Sequence, residues 1–155
     1  MAFLVSDAQT ERHARIRGFL SQGEPAIAVL LAAADFEWTV RRAIIALGKS
    51  SNVEIREGVL KNCHGLNAYK EAWEKEAMKT AEKSLPQIIG SWNDFVNAFN
   101  LRHKLIHGIT SVTADYATTR VETILLATTN VYIFCDSQCG IDLFSRLPIK
   151  TKKKH

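Results

Sequence analysis

Apolar residues along the chain recur mostly at three- and four-residue intervals, and that period predicts helices. The first covers residues 7–22: Ser6 and Gln9 have the spacing of a capping box, and Ala8, Ile16, Phe19 and Leu20 supply a modest apolar face. Gly23 breaks it, and Pro25 stands where proline suits the first turn of a following helix. Residues 26–47 contain neither Gly nor Pro, and apolar side chains from Ile27 to Leu47 wrap around most of the circumference. This second helix is predicted to be the buried centre, with Gly48 as its C-terminal cap.

A short helix is expected over 53–62, then a break at Cys63-His64-Gly65. The next helix, 67–83, is more polar; Glu71, Lys75 and Lys79 at four-residue spacing mark a charged, exposed side. Ser84-Leu85-Pro86 starts another element, and Trp92, Phe95, Val96, Phe99 and Ile106 form a stripe that runs up to Gly108. After 110–113 a long final helix carries Ala117, Val121, Ile124, Leu125, Thr128, Val131, Tyr132 and Cys135 on one face and ends before Gly140. Only 141–147 alternates as a strand would, and no repeat or heptad series is present. The expected fold class is all-α, an up-and-down bundle of about five helices.

Composition narrows the picture further. The 155 residues fit one domain, residues 1–149, and 46% apolar with 23% charged residues is ordinary globular usage. Lys150, Lys152, Lys153 and Lys154 account for the whole net charge of +4, so residues 1–149 are balanced and 150–155 read as a basic, disordered tail. Any affinity for nucleic acid must therefore come from local clustering. The longest apolar run, 26–34, is nine residues against the roughly 20 that a membrane span needs. No membrane partner is expected. Residues 1–5 lack the basic flank of a secretory signal, and three cysteines, an odd number, read as free thiols in a reducing compartment. Both point to the cytoplasm.

The chemistry concentrates in Phe99-Asn100-Leu101-Arg102-His103-Lys104-Leu105-Ile106-His107-Gly108. At about 100° per residue, Arg102, His103 and His107 lie within roughly 90° of the centre line of the Trp92-to-Ile106 stripe. Between Asp94 and Asp115 stand 20 residues with no acidic side chain. That stretch forms a candidate anion site. A histidine beside an arginine suits RNA cleavage without metal: imidazole exchanges a proton near neutral pH, a guanidinium holds phosphate oxygens in a fork, and the ribose 2′-hydroxyl attacks. On spacing alone, a helix end with a capping histidine and a solvated arginine is the competing account.

The string Arg102-His103-Lys104-Leu105-Ile106-His107-Gly108 resembles the signature of the HEPN superfamily: Arg, a polar residue, then His a few positions on, followed by Gly, near the end of a bundle helix. The segment from Phe36 to Ile44 is similar to the buried early helix of several HEPN groups, in which an acidic residue faces the motif. The likeness covers residues 26–132, and it departs from the family at His103, where Asn is commoner. It implies a metal-independent endoribonuclease without cofactor, a toxin or antiviral defence effector, working as a homodimer with a shared cleft. RNA would be the substrate, and an antitoxin or another defence protein a further partner. On that likeness His107 is the general base or acid, Arg102 binds the scissile phosphate and His103 orients the site. Glu37, Arg41 and Lys104 support it, Glu37 behind Arg102 or His103. Glu37 also has the spacing of a helical salt bridge to Arg41. A non-catalytic HEPN module that binds nucleotide or RNA, or that serves dimerisation and regulation, is the alternative within the family.

Other readings of these residue types are weaker. His103 and His107 have the i, i+4 spacing of metal ligands but no nearby carboxylate to complete a set. Cys135 and Cys139, with Cys63-His64, lack the close pairing of structural zinc sites and read as buried thiols. Trp38 and Trp92 read as core, and Trp73, among Glu71, Glu74 and Lys75, as the one exposed tryptophan.

Overall fold

The computed structural model describes residues 8–108 and 111–151, and among them it is all-α, a helical bundle with no strand. Seven helical segments follow one another: α1, Gln9–Ser21; α2, Pro25–Leu47; α3, residues 52–59; α4, residues 66–81; α5, Leu85–Ile89; α6, Trp92–Ile106; and α7, Ala114–Cys139. Both α3 and α4 contain one wide π turn, at Ile55–Val59 and Trp73–Ala77. Ser6 of the expected capping box lies outside the described residues, and α1 starts at Gln9. The region 141–147, with its strand-like alternation, is a turn-rich segment.

The breaks follow backbone chemistry. Ser84 accepts from the Gln87 N–H while the Gln87 side chain accepts from the Ser84 N–H, so α5 opens with a complete capping box. Gly108 after α6 and Gly140 after α7 have φ of 64° and 67°, the left-handed region that glycine enters without strain. Gly48 follows the last residue of α2, as expected of its cap, and its N–H bonds to the Ile44 carbonyl. A Cβ there would stand 2.3 Å from Ile55 Cδ1 and 2.6 Å from the Ile44 carbonyl oxygen, so its glycine is required by close approach.

The chain divides into two compact units. The first joins the chain up to Phe36 with residues 91–127. Its core sets Phe36 of α2 against Phe95 and Phe99 of α6, with ring centroids 4.6 Å and 5.9 Å apart. Such tilted pairs add about 0.5–1.5 kcal/mol each beyond the area they bury. A polar cluster lies within this unit. Asp35 accepts from the Arg12 guanidinium at 2.8 Å, and its other oxygen is 3.0 Å from His13 Nε2, all three side chains being buried. At the surface of the same unit Arg17 grips Glu122 through two bonds of 2.6 and 2.9 Å.

The second unit comprises residues 37–90 and the chain from Thr128. Trp73 overturns its expected exposure: it is fully buried, 0% exposed, and its indole N–H donates to the Lys83 carbonyl at 2.8 Å. Apolar indole surface outweighed the charged neighbours, which point outward. The segment after α7 is held by main-chain acceptors. Arg42, lying over Trp38, donates to the carbonyls of Leu143 and Ser145. Asn52 exchanges backbone and side-chain bonds with Lys150 and donates to the Pro148 carbonyl. Lys150, expected in the disordered tail, instead extends its ammonium to the carbonyls of Ile45 and Gly48 at the end of α2. A cation there meets the negative end of the helix dipole.

Candidate functional site

Helix α6 presents the candidate residues, and its buried side fixes where each one points. The buried positions are Phe95, Ala98, Phe99 and Leu101. Their mean direction is rotated from the stripe drawn through Trp92 and Ile106, because Ile106 is 54% exposed and Trp92 only half-buried. At about 100° per residue, Arg102 falls within about 15° of that buried direction, while His103 and His107 stand about 110° and about 150° away. The observed burial agrees: Arg102 is half-buried, and both histidines are exposed. The motif does not aim all three groups at a packed surface.

Arg102 lies with its guanidinium carbon 5.8 Å from the Phe99 ring centroid, a cation–π contact along its own helix. The imidazoles of His103 and His107 are neighbours, with ring centroids 4.3 Å apart at an angle of 54°. His107 occupies the C-cap of α6, its backbone N–H bonded to the His103 carbonyl at 3.1 Å. The helix ends there, Gly108 turns left-handed, and the His107 ring is left at the rim. Lys104 is exposed and lines a cavity of about 320 Å³ with Asn97, Leu101 and Tyr116. Tyr116 is itself half exposed and lies under the Arg120 guanidinium at 4.3 Å. The surface of α6 thus carries two imidazoles, a lysine and the apolar Ile106, all exposed, while the half-buried guanidinium of Arg102 lies toward the buried side.

Glu37 and Arg41 belong to the second unit. Arg41 donates from Nε to the Tyr69 hydroxyl at 2.8 Å and from its terminal nitrogens to the carbonyls of Leu60 and Cys63. Its fork holds the turn after α3 instead of pairing with Glu37. Glu37 is half-buried. Burial pushes the Cys63 thiol and the Tyr69 phenol up, and the nearby Glu37 charge pushes both further in that direction while Arg41 opposes it. The sequence reading missed the buried acid of α2's first half, Asp35. A polar residue inside a long apolar run is a recognisable signal, but its partners Arg12 and His13 stand 23 and 22 residues away.

The cysteines are free. Cys135 is pushed up to about 12, chiefly by burial, and Cys139 is raised for the same reason, so neither is poised as a thiolate nucleophile. Among the described residues no group of three His, Cys, Asp or Glu side chains is placed to hold a metal ion. Among them, too, no helix is long and apolar enough to cross a membrane. Comparison of the chain with protein-family models, with curated proteins and with solved structures finds no match.

Proposed function

We propose that the protein is a metal-independent endoribonuclease of the HEPN type, acting from the exposed end of α6. The observation that carries this reading is the His103–His107 pair, two accessible imidazoles in ring contact on the helix that also carries Arg102, in a stretch of sequence without carboxylates. His107 exchanges the proton of the 2′-hydroxyl, Arg102 receives the charge that builds on the phosphate, and His103 sets the orientation of the His107 ring. Lys104 and the cavity at Tyr116 receive the flanking RNA, a lysine for a phosphate and an aromatic face for a base.

Arg102 and His107 are about 140° apart around α6 by helical spacing, so one chain aims them in different directions. A two-fold pairing through the exposed Ile106 places the Arg102 of one copy opposite the His107 of the other, which favours a homodimer. A cytoplasmic toxin or defence effector, restrained by an antitoxin or another defence protein, is the setting in which such an unrestricted nuclease is tolerable.

Incubation of the full chain with a mixed RNA pool in EDTA tests the reading. The expected products are a 2′,3′-cyclic phosphate and a 5′-hydroxyl, and a substrate with 2′-deoxyribose at the scissile position resists cutting. Arg102→Lys is severely impaired, since an ammonium keeps the charge and loses the fork. RNA bound but never cut would assign the chain to the non-catalytic HEPN modules.

A further inference from the structure

In the second unit a cavity of about 730 Å³ lies between α3 and the pinned segment 146–151. That volume is within the range of small-molecule sites. Its lining carries four cationic side chains, Arg42, Arg56, Arg146 and Lys150, against a single acid, Glu54. Two of the cations are already committed. The Arg42 guanidinium is fixed by the Leu143 and Ser145 carbonyls, and the Lys150 ammonium by those of Ile45 and Gly48. Arg56 and Arg146 are exposed, and neither forms a hydrogen bond or an ion pair with any described residue. Burial depresses Arg42, the Asp142 charge opposes it, and the neighbouring charge of Arg56 adds a smaller lowering.

Of the other lining residues, Ser51, Asn52 and Thr151 are polar and three are aliphatic. Val53 and Ile149 are 56% and 66% exposed, unusual for isolated branched side chains, and Leu147 lies beside them. The walls are also held in place. Asn52 is bonded to Pro148 and Lys150, so the segment that carries Arg146 and Ile149 is pinned to the start of α3.

We propose that this cavity is a binding site for a small organic phosphate with an aliphatic body. The forks of Arg56 and Arg146, with the committed charges of Arg42 and Lys150 beside them, exceed what one carboxylate neutralises and match a phosphate dianion, whose oxygens accept both forks. An aliphatic body is favoured over a nucleobase because the lining residues offer Val53, Leu147 and Ile149 and no aromatic face. The site stands apart from the reading of α6, since none of its residues belongs to that helix.

Calorimetric titration of the full chain with octyl phosphate, below its micelle concentration, tests the assignment against inorganic phosphate, octanoate and AMP. Octyl phosphate is expected to bind at least about tenfold more tightly than each of the other three. Arg56→Ala and Arg146→Ala are each expected to weaken it about tenfold or more while circular dichroism and Tm stay unchanged, because neither side chain has a hydrogen-bond or ion-pair partner among the described residues. Val53→Ser is expected to weaken octyl phosphate and leave inorganic phosphate unaffected. The proposal is overturned if octanoate or AMP binds as tightly as octyl phosphate, if inorganic phosphate alone accounts for the affinity, if the two arginine variants bind normally, or if no heat of binding is detected up to millimolar ligand.

Discussion

Two clusters of arginine and histidine occur in the first unit, and the fold treats them in opposite ways. Arg12 and His13 on α1 are sealed from water and share one carboxylate, Asp35. Arg102, His103 and His107 on α6 stand where the 20 residues from 95 to 114 contain no acid, and both imidazoles are open to solvent. Buried charge is tolerated only when paired, so the first cluster is bound to be structural. An exposed group carries no such obligation. The same residue types hold helices together in one place and leave two imidazoles open to solvent in the other.

The contrast breaks most visibly at Asp35. Asp35→Ala leaves the Arg12 guanidinium buried without its counter-charge, and a loss of about 3–5 kcal/mol is expected in urea denaturation. His13→Ala removes one partner and keeps the Arg12–Asp35 bond, so a smaller loss, about 1–3 kcal/mol, is expected by the same measurement. The exposed Arg17–Glu122 pair sharpens the comparison, since its geometry is as good as that of the buried pair. Its worth is nevertheless about 0.2–1 kcal/mol by a double-mutant cycle, because water competes for both ends. The hydrogen bond from Arg17 holds the Glu122 carboxyl below the usual carboxylate range. Its stabilisation is therefore present above the unfolded carboxylate value and is lost as the pH falls through the lowered folded value. Glu122→Gln should flatten that part of a stability-against-pH curve. The smallest stability effects belong to α6: His103→Ala and His107→Ala should stay within about 0.5 kcal/mol of wild type.

Much of this was legible in the apolar pattern. The long helices α2 and α7 and the breaks at Gly23, Gly65, Gly108 and Gly140 follow from period and punctuation, and each of the four glycines has positive φ. What the pattern misjudged was direction and long-range pairing. Counting Trp92 and Ile106 as core drew the stripe of α6 to one side, whereas Ala98 and Leu101 are buried with Phe95 and Phe99. Exposed histidines followed from that rotation. Trp73 was misread because charged neighbours describe the far side of a helix and say nothing of its own side. Asp35, and the pinning of 141–151 by Arg42 and Asn52, depend on partners distant in sequence, and several of those partners are carbonyl groups that every residue carries. The candidate residues of α6 were nameable from the motif alone. Which of them faces the packed side of α6 and which faces solvent needed the buried side to be known.

The most direct test sets activity against stability at one residue. Cleavage of RNA in EDTA by wild type and by His107→Ala, with Tm measured on the same preparations, should show a loss of about 10²–10⁴-fold in rate at unchanged Tm. Cleavage by His107→Ala at the wild-type rate would contradict the account.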